Sequence, residues 1–185
     1  PLLGVATRVL RLTGAEALSR PFRFDLSIAV AGHVTVDELL GADVELSLFG
    51  AAVEPLRRIA GTVSRARVGS AVADGSRIAR LRLTPHWARL AYRRNSRVFQ
   101  DMSTLDVATS IAAEHGVVVR LETIATLRPR VYCVQHQETD LAFLERLFAD
   151  EGLVYVFDPP RDGRQPVVVF DAAARYPRLT GDERL

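Results

Sequence analysis

Cys133 and His136 are the first candidates for chemistry. They lie three residues apart inside VYCVQHQETDLAFLERLFADEGLVYVFD, Val131 to Asp158, and Cys133 is the only cysteine of the chain. Such a pair could be a thiolate nucleophile with its base, or two ligands of a metal. Either use requires the two side chains to converge. VYCVQ reads as a strand, and residues three apart along a strand point to opposite faces. A metal would also need further ligands. No Cys-x-x-Cys or His-x-x-x-His partner is present, and His33, His86 and His115 are scattered. The expectation is a small core-facing thiol and a strand-end histidine, with no metal and no cofactor.

Glu138, Asp140, Asp150 and Glu151 offer carboxylates for acid–base work, which needs two of them converging on one bond. Glu138 and Asp140 flank a helix start, where the macrodipole favours negative charge. Asp150 and Glu151 are adjacent near that helix's end and do not share a face. Structural roles are expected for all four. There is no Gly-x-Ser-x-Gly elbow and no phosphate-binding glycine loop. The chemistry-bearing residues therefore predict no enzyme.

All 24 basic residues are arginine, against 22 acids. Arg77, Arg80, Arg82, Arg89, Arg93, Arg94 and Arg97 fall between Asp74 and Asp101 with no acid among them. Such a run could neutralise phosphates. Its few interleaved aromatics, Trp87, Tyr92 and Phe99, are poor stackers, since the first two suit apolar helix positions, and no nucleic-acid motif accompanies them. A solvated face, or one paired with acids from elsewhere, is the reading we adopt, with an acidic protein partner as a third option.

The elements that must position these residues follow from periodicity. VATRVLRLT, FRFDLSIAV, DVELSLF, RRIAGTVSRARV and SRIARLRLT are short, partly alternating runs broken by turn residues, the pattern of an antiparallel barrel or sandwich. TVDELLG interrupts them as a short helix stopped by Gly41. Beyond Thr84, PHWARLAYRR reads as a helix with Thr84 as cap and Pro85 in its first turn. Ser103 opens another, with Asp106 at capping-box spacing, Leu105, Ala108, Ile111 and Ala112 on one face, and Gly116 as its stop. VVVRLE is a strand. In the segment quoted first, Thr139 or Asp140 caps a helix whose Leu141, Phe143, Leu144, Leu147 and Phe148 recur at helical spacing. Gly152 stops it, LVYVF follows as a strand, and VVVF is another. The fold class is α+β, mainly β: an antiparallel barrel-like domain over 1–84 and a strand–helix–strand α/β part over 85–185.

No apolar run is long enough to span a membrane. The start shows neither a signal peptide nor an initiator Met, so a piece of a longer chain is expected. One cysteine fits a reducing compartment.

Two blocks resemble a known family. Tyr132, Val134, Gln135, Glu138, Asp140, Phe143, Arg146, Leu147, Glu151 and Gly152 follow a signature of the VgrG proteins, the spike proteins of bacterial type VI secretion systems. Thr139 and Asp150 replace Ser and Glu there, and His136 stands where Tyr is usual. The second block, LTPHWARLAYRRNSRVFQDMS, carries Trp87 and then Arg97, Val98, Phe99 and Gln100 in the family's order. FRFDLSI, LLGADVELSL and IAGTVSRA lie upstream in the expected sequence.

The resemblance implies a structural, non-catalytic N-terminal hub, similar to the hubs of phage tails and to late control gene D proteins. It implies a homotrimer in the full-length protein, docked on a hexameric tube of Hcp and carrying a spike tip or effector proteins. Neither nucleic-acid binding nor stable membrane insertion belongs to it. The resemblance also implies residence in the bacterial cytoplasm before firing and export by the secretion system itself. A phage baseplate hub is the alternative within the same class; a small hydrolase or effector using Cys133, His136 or a carboxylate is the alternative outside it.

Overall fold

A computed structural model of the chain describes residues 7–51, 53–71, 75–124, 126–161 and 163–171. The stretch DAAARYPRLTGDERL, for which the sequence shows no strong pattern, lies beyond them except for Asp171.

The alternating runs of the first part form five antiparallel strands: β1 (Thr7–Ala17), β2 (Arg20–Val30), β3 (Asp43–Phe49), β4 (Pro55–Ala71) and β5 (Arg77–Thr84). They pair in the order β1-β2-β5-β4-β3, giving a curled half-barrel sheet. Phe22, Phe24, Leu26 and Ile28 on β2 and Ala79, Leu81 and Leu83 on β5 share the apolar face. The side chains between them, such as Asp25, Ser27, Arg80 and Arg82, point the other way, as a period of two requires. Gly61 on β4 is held to glycine by packing, because a Cβ there would meet the carbonyl oxygen of Thr84 at 2.3 Å.

Helix α1 (Val36–Leu39) sits between β2 and β3. Thr35 and Glu38 form a reciprocal capping box, and Leu39 is inserted into the apolar face.

After β5 the chain makes a 3-10 helix, His86–Tyr92. Two expectations are corrected here. The helix is 3-10 and ends before Arg93 and Arg94. Thr84 closes β5, so the cap position falls to Pro85, which has extended backbone and offers no side-chain cap. Trp87 and Leu90 are fully buried, whereas Tyr92 is 76% exposed and leaves the apolar face assigned to it. At three residues per turn Trp87 and Leu90 share one face, and Tyr92, two positions beyond Leu90, falls off it.

Residues Arg94–Phe99 form a strand, β6, that the sequence does not signal, because its outward positions mix charge with Ser and Val. It pairs antiparallel with β8 (Cys133–Thr139). Between them come α2 (Thr104–Glu114), opened by the Ser103–Asp106 capping box, and β7 (Val119–Glu122). Helix α3 (Asp140–Asp150) follows β8 directly, with Thr139 Oγ1 accepting from the Ala142 N–H at 3.1 Å. Gly152 ends that turn at φ 67°, a left-handed value that glycine adopts without strain. β9 (Leu153–Phe157) and β10 (Val167–Asp171) complete a three-stranded sheet in the order β7-β10-β9.

The second core lies between this sheet, both long helices and the 3-10 helix. Phe143, Leu144, Leu147 and Phe148 of α3 are buried in it beside Trp87, Ile111 and Tyr155. Val107 joins the buried face of α2, while Leu105 is only partly buried. Phe157 bridges both cores, its ring edge-on to Phe22 at 5.2 Å. The buried bond from the Ala60 N–H to Gln165 Oε1, 2.7 Å, ties β4 to the loop before β10.

Candidate functional site

The residues singled out in the sequence gather around one carboxylate. Asp140 is the first residue of α3 and completely buried. β6 and β8 run beside it, so that Arg97 lies opposite Gln135 in register. The Asp140 Oδ1 accepts from Arg97 Nη2 at 2.9 Å, Gln135 Nε2 at 2.8 Å and Asn95 Nδ2 at 3.0 Å. The Oδ2 accepts from Arg93 Nε at 2.6 Å and faces His115 Nε2 at 2.9 Å. The Asp140 N–H donates to the Arg93 carbonyl at 3.0 Å. Gln135 is also fully buried, and its Oε1 accepts from Arg97 Nε at 2.8 Å while its amide donates to the Glu138 carbonyl at 3.1 Å.

Glu114, at the end of α2, accepts from Arg97 at 2.9 and 3.1 Å and also pairs with Arg93. Two guanidinium groups thus face two carboxylates, and Gln135, Asn95 and His115 fill the remaining positions around Asp140.

Burial by itself would push the Asp140 carboxyl up. The donors from Gln135, His115, Asn95 and Arg93 outweigh that and hold it well below the usual carboxylate range. Glu114 is likewise raised by burial and lowered further by Arg97 and Arg93, ending below its ordinary value. A carboxylate has about four lone-pair sites. Those of Asp140 are taken up by protein donors, so it has none left to accept a substrate proton. The cluster clasps β6, β8, α2 and α3 together, which is more than the helix-start role expected of Asp140.

The remaining motif residues have separate places. Phe99 stacks on Phe143, rings 5.6 Å apart, beneath the Arg97 guanidinium. Trp87 packs 5.7 Å from Tyr155. Leu147 is buried on α3. Glu138 is half-buried and accepts from Arg146 Nη2 at 2.6 Å, an ion pair on the surface side of β8. Gln100 and Tyr132 are exposed and are not drawn into the cluster. Gln137, between them and α3, holds a left-handed φ of 48°, where Ser96 Oγ accepts its N–H at 3.0 Å and Arg94 donates to its carbonyl at 2.6 Å.

Asn95 and Glu114 belong to the cluster with no role expected of either from the sequence, and Arg93 and His115, which stand in the sequence only as part of the arginine run and as a scattered histidine, join them. The alternation Arg93–Asn95–Arg97 is the signal that was available, since it places three polar groups on one face of a strand.

Cys133 is buried and His136 is exposed on the opposite face of β8. Burial pushes the Cys133 thiol up, away from the thiolate. Among the described residues no group of three or more His, Cys, Asp or Glu side chains could hold a metal ion.

A half-barrel antiparallel sheet is thus joined to a charge-clasped α/β unit, and the family match identifies this pair as a tail-hub type of domain. Residues 15–185 match the phage tail baseplate hub (GPD) family, and the chain belongs to it. Over 182 residues it is 35% identical to the type VI secretion system spike protein VgrG4b of Pseudomonas aeruginosa, covering 93% of this chain and 21% of that protein. VgrG5 of the same organism is 33% identical over 180 residues, covering 93% and 22%. The chain therefore spans about a fifth of the length of these relatives. Its fold matches the E. coli type VI secretion component c3393, described as structurally similar to the T4 tail proteins gp27 and gp5. The TM-score is 0.83 at 24% identity, over 91% of this chain and 47% of that one.

Proposed function

We propose that the chain is the hub module of a type VI secretion spike, structural and non-catalytic. The observation that carries this reading is the open sheet in a chain of the hub family. β1 and β3 are both edge strands of the sheet, the position in which a strand can add a further neighbour. Between them, on the apolar side, lies a cleft of about 480 Å³ lined in part by Val9, Ile28, Val44, Leu46 and Phe49. An isolated chain gains nothing from such edges, whereas an assembly covers them with neighbouring strands.

In this reading residues 1–84 are the tube-facing, barrel-like domain and 85–185 the α/β part of the hub. The full-length protein is a homotrimer that docks on an Hcp tube and carries a spike tip or effector. It resides in the bacterial cytoplasm until firing and is exported by the system. The structure of a Francisella PdpA–VgrG complex supports partnership with further proteins, said of that VgrG. No helix among the described residues is long and apolar enough to cross a membrane. The family match equally suits a phage baseplate hub; the curated relatives, which are secretion spike proteins, favour the former.

The test is the mass of the complete gene product in solution, with and without the tube protein. A trimer that gains mass with the tube is expected. A strict monomer that ignores it contradicts the hub reading.

A further inference from the structure

The outward face of the half-barrel sheet carries a grid of arginines that Asp25 alone answers among the described residues of the groove. A groove of about 370 Å³ crosses β1, β2, β5 and β4, and its charged residues are Arg11, Arg65, Arg67, Arg80, Arg82 and Asp25. Five guanidinium groups face one carboxylate. Asp25 accepts from Arg82 at 2.8 and 3.3 Å, which leaves Arg11, Arg65, Arg67 and Arg80 with no ion pair among the described residues. The register makes the imbalance sharper. Arg65 stands directly opposite Arg82, and Arg67 directly opposite Arg80. Like charges directly opposite each other destabilise an antiparallel pair.

We infer that this face is a docking surface for an extended, acidic segment of a partner protein, with carboxylates at alternate positions. Alternate side chains on a strand are about 6.8 Å apart and neighbouring strands about 4.8 Å apart. An extended segment with acids at every second residue therefore matches the step from Arg65 to Arg67 and from Arg80 to Arg82. Guanidinium forks bind carboxylates bidentately, which suits a grid built from arginine without lysine. The uncharged polar positions of the groove are Thr13 and Ser27, and no aromatic lines it. A single-stranded nucleic acid would lack its stacking platform there. The inference stands independently of trimer formation and tube docking.

Two measurements on the chain test it. The first is fluorescence anisotropy with a labelled seven-residue peptide of alternating Thr and Glu, and with its Gln counterpart. The Glu peptide should bind at least tenfold tighter, weaken with salt, and lose tenfold or more on R67E. R128E, the same charge change on an exposed loop, should leave affinity within twofold. Equal binding of both peptides, equal losses in both variants, or preferential binding of an oligothymidylate with the same R67E dependence would overturn the assignment. The second is the melting temperature of the unbound chain. R67E places a carboxylate opposite Arg80 and should raise it, by roughly 1–3 °C. A fall would mean that the arginines hold the sheet together, and would overturn the inference as well.

Discussion

The chain uses arginine in two opposite ways. Around Asp140, Arg93 and Arg97 are matched by Asp140 and Glu114, and the carboxylate at the centre is fully buried with both oxygens bonded by protein donors. On the outward sheet face, Arg67 and Arg80 stand opposite each other, and neither forms an ion pair among the described residues. The first arrangement is closed and holds four elements together. The second is open and costs the folded chain stability. The same side chain is structural where its charge is answered inside the molecule and available for recognition where it is not.

Removing the centre of the closed cluster should break the molecule most severely. Asp140→Ala leaves Arg93 and Arg97 short of an acceptor and takes one acceptor from the buried Gln135 amide. A loss of about 3–5 kcal/mol in unfolding free energy is expected by chemical denaturation, the range for breaking a buried pair. A loss below 1 kcal/mol would show that the cluster is no more than a surface network. Phe143→Ala, which empties the centre of the second core beneath the same clasp, should cost about 3–5 kcal/mol in unfolding free energy. An unchanged melting temperature would remove α3 from its anchoring role.

Acid should separate the two regions. The folded Asp140 carboxyl titrates below its unfolded value of about 3.9. Its stabilisation is therefore complete above that value and drains away as pH falls through it toward the folded value. Asp140→Asn lacks this titration, so the difference in stability between the native chain and the variant should shrink steadily as the pH is lowered below about 4. A constant difference across that range would contradict the proton linkage. On the sheet face, R67E should show its rise in melting temperature at neutral pH, where glutamate is charged, and lose it in acid. The smallest effect expected is that of Ser103→Ala, which opens the capping box of α2 and should cost about 1 kcal/mol.

Much of the framework was legible in the residues. The five strands of the half-barrel, the caps at Ser103 and Thr139, and the buried face of α3 follow from alternation, helical spacing and local hydrogen bonding, which are properties of neighbours in the chain. The opposite placement of Cys133 and His136 was likewise determined by the two-residue period of a strand. β6 was not legible. Its inward residues, Asn95 and Arg97, are polar because they face a buried carboxylate 45 and 43 positions away, and an inward polar residue disguises a strand. The 3-10 geometry after Pro85 was not legible either, since it depends on how Trp87 and Leu90 seat in the second core.

The sequence alone determined most of the strands, the two long helices with their caps, and that a hub-like motif was present. Only the tertiary structure decided what the charges do. An arginine reads the same in a sequence whether a carboxylate stands 2.9 Å from it or another arginine stands opposite it. Coulomb energy depends on distance and burial, and both are set by strands and helices that are far apart in the chain.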